Sequence, residues 1–506
     1  MAKLYIFGIG GTGARVIKSL SMLLASGVKT NFDIVPILID PDSAGGDLNR
    51  TIKLLRDYQN IHKTIDGYEQ NNFFKNKIST LSDIVTEKGG GAKVFDGFRF
   101  ELDGIQNDRF KDFIDFNSLD ANNKNLVKLL FSEKNLDADL GVGFKGNPNI
   151  GSVVLNQFTK SEVFQSFADS YEADDRIFIV SSIFGGTGAA GFPLLLKNLR
   201  KGKVGGKNYE HLKNSRIGAI SVLPYFKVKQ NDNSEIDSHG FITKTKAALH
   251  YYARNISGNN SINSLYYIGD SAENTYENIE GGTNQKNDAH FIELASALSI
   301  VDFANTEDIY LETKNGIASN PTYKEFGTKD VRQISFNDLF DSTKNSIINN
   351  LTEYFYFNLF LKDKMTWAIN ENYPFVSEDG AKFDINFIQQ SFYKNFLSDF
   401  NREFRIWIAE VFRNQISFAP FSINPVTNEQ NEITDFKIDT SSIFTLVRGI
   451  PERKGVFNTF KQKNFELFVT HLNNASHKLG DAPSPQKRFM GVFSQGIKSL
   501  VNKKLL

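Results

Sequence analysis

The chain has 506 residues, too many for one ordinary hydrophobic core, and two or three domains are expected. Its 58 basic and 58 acidic side chains cancel, which excludes a global field that would gather nucleic acid. Cysteine is absent and the seven histidines are scattered, which excludes disulfides, thiol nucleophiles and thiolate metal sites and offers little for zinc.

Met1-Ala2-Lys3 runs at once into the β-favouring Leu4-Tyr5-Ile6-Phe7, so no secretory signal is expected there. No apolar run approaches twenty residues, and a cytoplasmic protein is expected. The glycine turn Gly8-Ile9-Gly10-Gly11-Thr12-Gly13 follows the first strand. Apolar residues at helical spacing over 14–24 predict a helix, and the nearly continuous apolar run 34–39 predicts a strand covered on both faces. Pro36 within that run favours a sheet edge. The strand closes on Asp40-Pro41-Asp42.

Residues 50–135 are polar, with broken periodicity and a triple glycine at Gly89-Gly90-Gly91, and predict an insertion or a long excursion from the sheet. Phe95, Phe98 and Phe100 give a brief period near two within it. The pattern sharpens at Leu140-Gly141-Val142-Gly143-Phe144-Lys145-Gly146-Asn147-Pro148-Asn149-Ile150-Gly151, a glycine loop leading into a helix. A strand over 177–183, the loop Gly185-Gly186-Thr187-Gly188 and a helix over 189–199 come next. Strand 217–223, helix 242–253 and strand 265–268 continue an alternation that predicts a parallel α/β sheet. Residues 288–303 form the most apolar helix candidate, with Phe291, Ile292, Leu294, Leu298 and Val301 around much of its circumference. The texture then changes, and the expected division is a nucleotide-binding unit over 1–305, a mixed α+β domain over 306–460 and an extension over 461–506. Gly480-Asp481-Ala482-Pro483-Ser484-Pro485 reads as a break before a basic amphipathic helix candidate at 489–506.

The chemistry is concentrated in the glycine loops. Glycines let the backbone turn with positive φ and approach a phosphate without a Cβ in the way, and the helix that follows offers unpaired N–H groups to an anion. Alone, the first loop with Asp40 at the end of the second strand supports an NAD- or FAD-dependent oxidoreductase of Rossmann type. The second loop, where Thr187 adds a hydroxyl donor, supports one nucleotide held from several strand ends. Neither loop contains a P-loop lysine, which leaves phosphate neutralisation to amides, a divalent cation and a partner.

With the third loop at 141–151 between them, the two loops resemble those of the tubulin/FtsZ superfamily, over residues 1–305. The chain departs from the usual loops at Phe184 and Ala190, which replace glycines, and by two residues inserted after Gly143, as in a divergent prokaryotic tubulin-like protein. The resemblance implies a three-layer parallel-sheet GTPase fold with GTP or GDP bound by Gly10, Gly11, Thr12, Gly13, Asp40, Asn49, Gly143, Asn147, Gly185, Gly186, Thr187 and Gly188. It implies guanine recognition by Asn287, Asp288 and Phe291, and Mg²⁺ held through Asp42 or Asp47. It also implies head-to-tail filaments of a cytoskeletal kind, with GTP hydrolysed at the subunit interface. Asp302 is then the first choice for the acid supplied to the next subunit, and Asp308 the second. Lys487, Arg488, Lys498, Lys503 and Lys504 flank an apolar stripe that suits a membrane surface, a partner protein or packing against the body. A scaffold that binds GTP without turnover stays open as an alternative, beside the oxidoreductase.

Overall fold

The structure is a computed structural model that describes residues 1–89, 97–102, 105, 108–144, 146–228, 238–270, 275–276, 282, 287–325, 332–378, 382–438, 442–449, 464–480 and 482–505. Gly90, Gly91, Phe95, Lys145 and Asp481 lie outside the described residues, as does the expected boundary near 460.

Six apolar runs form one parallel sheet: β1 (Lys3–Ile9), β2 (Asp33–Ile39), β3 (Arg176–Ser182), β4 (Arg216–Val222), β5 (Ser264–Ile268) and β6 (Thr322–Glu325). The order across it is β6-β5-β4-β3-β1-β2, with parallel pairing throughout. Every residue of β1 is buried, as a central strand covered on both faces requires. Successive residues of β1 face opposite layers. Gly8 faces α1 (Gly10–Ala25), where an added Cβ would lie 2.6 Å from the Ile17 side chain. Tyr5 and Phe7 face the other way, with ring centres 5.0 and 5.1 Å from Phe167.

One outer layer contains α1 and α2 (Gly46–Ile65). The opposite layer contains α3 (Pro148–Val154), α4 (Glu162–Ser170) and α5 (Gly186–Lys201). Helix α6 (Ser238–Tyr252) crosses from β4 to β5, and α7 (Phe291–Asn305) packs beside α1. The all-round apolar sequence of α7 matches its burial between layers. Its carboxyl end is closed by Arg176, whose guanidinium donates to the carbonyls of Phe303, Ala304 and Thr306.

Pro36 explains a break at the sheet edge. Ile34 N–H donates to Lys77 and Leu38 N–H to Phe98, so the even residues of β2 point their donors outward. Pro36 lies between them and has no N–H to give. The outer neighbour of β2 is accordingly two short segments, one pairing at Ile34 and the other at Leu38. Part of the polar stretch 50–135 therefore extends the sheet at this edge through these two segments, while α2 packs on α1. At the other edge β6 comes from beyond residue 305.

The mixed α+β part holds α8 (Asp341–Asp363), α9 (Ser398–Arg413) and the hairpin of β7 (Ile423–Thr427) with β8 (Ile433–Ile438). Phenylalanines fill it: Phe355 stacks on Phe421 and Phe436, with ring centres 3.9 and 5.3 Å apart. Two further helices, α10 (Asn464–Leu479) and α11 (Pro485–Leu500), end the chain. The apolar face of α11 is occupied: Phe489, Met490, Phe493 and Ile497 are fully buried, and Phe493 meets Phe357, Phe360 and Phe375. No described helix is long and apolar enough to cross a membrane.

Candidate functional site

From β1 the chain moves to β2 on one side, and from β3 to β4 on the other, so the strand order reverses between β1 and β3. In such sheets a crevice opens at the carboxyl ends of those two strands. Both glycine loops emerge there. An added Cβ on Gly10, whose φ is +72°, would lie 3.6 Å from Thr187 Cβ and 3.9 Å from Gly188 N. The third loop closes on the second, because a Cβ on Gly186 would stand 3.0 Å from Asn147 N and 3.1 Å from Gly146 N. Three segments, the first more than a hundred residues from the other two, meet at one point.

The glycines divide by role. Gly13 and Gly188 serve packing, since a Cβ would lie 2.4 Å from Gly8 C and 2.6 Å from Ser182 O respectively. Gly11 has only the Arg15 guanidinium within reach, at 3.5 Å, and a Cβ at Gly143 meets nothing. Room for a ligand atom therefore lies over Gly10, Gly11 and Gly143, beside the half-buried Gly185 and Thr187. Helices α1 and α5 begin here, and neither has a side-chain cap or an acid in its first turn. Side-chain caps occur elsewhere at Thr80, Asp120, Ser132, Ser161 and Ser484, while α2 and the later helices that begin at Asp341 and Ser398 also start without one. Two uncapped starts facing one crevice suit an anion.

Two cations stand close, and the sequence motifs pointed to neither. Lys244 on α6 brings its ammonium within 3.1 Å of where a Cβ on Gly146 would be. Arg15 lies beneath Gly11, where its Nε donates to Glu293 at 2.5 Å and its Nη1 to Asp47 at 2.8 Å. Its Nη2 donates to the Tyr225 hydroxyl at 2.8 Å. Burial works against the charge on Arg15, but Tyr225, Glu293 and Asp47 outweigh it and hold the guanidinium proton firmly. For Asp47 burial pushes upward, yet Arg15 and Arg50 leave the carboxyl below its usual range. The ring of His290 is driven down to about 4 by burial and by Arg15, so it caps α7 as a neutral imidazole. The available signal was a charge in the first turns of each of two largely apolar helices, Arg15 and Glu293.

The remaining expected residues divide among three places. Asp40 ends β2 at the crevice, partly exposed, and burial pushes its carboxyl up to about 7. Asn49 donates to the Ser43 carbonyl within the adjoining loop. Asp42 accepts from the backbone N–H groups of Ala44 and Gly282, at 3.1 and 2.7 Å. Asp47 has one oxygen on Arg15 and the other on Arg50. These two carboxylates are engaged inside the protein and do not fit a divalent cation. Among the described residues no group of three or more His, Asp or Glu is placed to hold one.

Asn287 donates weakly to Asp47 at 3.4 Å, and Asp288 pairs with Arg413. Phe291 is fully buried, with its ring 6.0 Å from that of Phe418. It is a core residue packed against the mixed part. Asp302 and Asp308 stand at the opposite edge of the sheet, by the amino ends of the strands. Asp302 accepts from the Tyr266 hydroxyl at 2.6 Å and pairs with Lys324 at 2.5 Å. Asp308 pairs with Arg176 at 2.7 Å and Arg216 at 3.2 Å. The fifteen residues of α7 separate the two edges by about 22 Å, so neither acid reaches the crevice of its own chain.

No family model matches the sequence, and no curated protein matches it. Among solved structures the chain is similar to CetZ2 from Haloferax volcanii in a GTPγS-bound protofilament, at 16% identity and a TM-score of 0.30 over 60% of each chain. It is also similar to an empty FtsZ dimer from M. jannaschii, at 16% identity and a TM-score of 0.26, over 53% of this chain and 45% of that one. CetZ from Methanosaeta thermophila strain DSM 6194 gives 15% identity and a TM-score of 0.22, over 53% and 46%. The chain spans no more than about three fifths of the length of these three proteins.

Proposed function

We propose that the chain binds GTP, with the phosphates on the amides of Gly10 to Gly13 and Gly186 to Gly188 and on the Thr187 hydroxyl. The observation that carries this reading is the convergence of three glycine loops on one crevice, with Gly10 against Thr187 and Gly186 against Asn147. A dinucleotide enzyme would need only the first loop. The crevice passes a test of fit, since a Cβ would fill the space over Gly11 and Gly143 and glycine leaves it open. Lys244 supplies the cation that a P-loop lysine would otherwise provide. Guanine as the base rests on the resemblance of the loops. A divalent cation is left to phosphate oxygens and water, because Asp42 and Asp47 are otherwise engaged.

Copies then stack head to tail, and Asp302 of one copy orients water at the phosphates held by the next, giving GDP and phosphate. The support is positional. Asp302 and Asp308 are half-exposed at the edge opposite the loops. Ile309, Tyr310, Ile317 and Tyr323, 47–65% exposed, lie along the same edge as an apolar surface for a second copy.

Sedimentation of the full chain with GTP and with GDP tests the assembly. Pelleting with GTP and phosphate release that falls about a hundredfold in Asp302→Ala are expected, as for loss of a water-positioning group. Pelleting without phosphate release identifies a non-hydrolysing scaffold. A chain monomeric in both nucleotides removes the head-to-tail proposal.

A further inference from the structure

The end of α9, the turn of the β7–β8 hairpin and the segment at 332–333 enclose an open cavity of about 490 Å³, distinct from the glycine crevice. Ligand pockets have this size. Arg332, Arg413, Asn414, Gln415 and Asn431 are on its wall, and none of its described lining residues is acidic. A third guanidinium, that of Arg448, stands 5.8 Å from the ring centre of the lining residue Phe412 and donates to Gln333 at 3.3 Å. Two arginines on the wall and a third beside it suit an anion, because guanidinium forks match carboxylate and phosphate oxygens in pairs.

The geometry points to a binding site here for a small polyanion, a molecule carrying phosphate or carboxylate groups, held by Arg332 and Arg413. Arg413 links the site to the rest of the molecule. It pairs with Asp288 and donates to the Asn431 carbonyl at 2.8 Å, while its neighbour Asn414 donates to the Ala289 carbonyl at 2.7 Å. Asp288 and Ala289 lead directly into α7. A bound anion competes with Asp288 for Arg413, so occupancy is coupled to the chain segment that starts the central helix.

Calorimetric titration of the full chain with inorganic pyrophosphate and, separately, with citrate tests the proposal. At least one probe is expected to bind, about tenfold more weakly in Arg332→Gln and in Arg413→Gln. Binding at this site is expected to persist in Gly11→Ala, which alters the glycine crevice instead. Asp288→Asn, which removes the competitor, is expected to tighten it about threefold or more. Response to pyrophosphate alone identifies a phosphate ligand, and response to citrate alone a carboxylate. Thermal melts of each variant establish that it is folded, and Arg332→Gln serves where Arg413→Gln is not. Failure of both probes to bind overturns the proposal, as does binding unmoved by the arginine changes or abolished only by Gly11→Ala.

Discussion

Asp40 sits where β2 ends, with the Asp42 N–H donating to its Oδ1 at 3.1 Å, and it keeps its proton to about pH 7 because burial outweighs that bond. An unfolded aspartate titrates near 4. The folded chain therefore holds an extra proton between about pH 4 and pH 7, and this part of stability is lost as pH rises through that window. Asp40→Asn is expected to remove that slope and to stabilise the fold at pH 8 by on the order of 2 kcal/mol. Denaturant midpoints across pH 4–8 check it, and an unchanged slope contradicts the assignment. Arg15 behaves in the opposite way, because it is the shared partner of two buried acids. Arg15→Met leaves the buried Glu293 without its cation and Asp47 with Arg50 alone, and is expected to cost about 3–5 kcal/mol. Arg15→Lys is expected to rescue little, since one ammonium cannot reproduce a fork that spans α1, α2 and α7. A loss under about 1 kcal/mol in urea unfolding would show that the network is slack.

At the scale of elements, the two glycines that end the first loop carry different loads. Gly13→Ala drives a Cβ into the backbone of Gly8 and is expected to lower stability by about 2 kcal/mol or more. Gly11→Ala has space over the loop and is expected to melt like the parent while losing nucleotide affinity. Thermal melts paired with nucleotide titration separate the two, and equal losses of stability would remove the division of roles. The alternating strands and helices, and all three loops, were legible in the sequence because each is written in a dozen neighbouring residues. The burial of α7 was legible for the same reason, but the partner of Phe291 was not, because Phe418 lies in a different part of the chain. Arg15 with Glu293, and Lys244 beside Gly146, are pairings across long sequence separations that no local pattern encodes. Pro36 was readable as an edge signal, although only the paired segments at 77–79 and 98–100 reveal why the neighbouring strand is interrupted. The sixth strand was unreadable as part of the sheet, since Thr322 to Glu325 is polar and mostly exposed.

Taken as a whole, the molecule has a glycine-lined crevice at the carboxyl ends of its strands and a partly apolar surface, with Asp302 and Asp308 in ion pairs, at the other end. Helix α7 spans the distance between them, and the mixed part is clamped to its start by Arg413, Asn414 and Glu410. Trp407 of α9 donates to Ser19 of α1 at 3.1 Å, which ties the same part to the helix that leaves the first glycine loop. The terminal helix, whose basic flank suited a membrane or a partner, spends its apolar face inside this assembly. The joint cradle of the glycine loops is the central claim, and equilibrium titration of the purified chain with GTP tests it most directly. One GTP per chain is expected, weakened about tenfold or more by Gly11→Ala in the first loop and equally by Thr187→Val in the second. Absence of GTP binding, or a ligand lost on changing the first loop and indifferent to Thr187, would contradict a shared site and return the crevice to a dinucleotide.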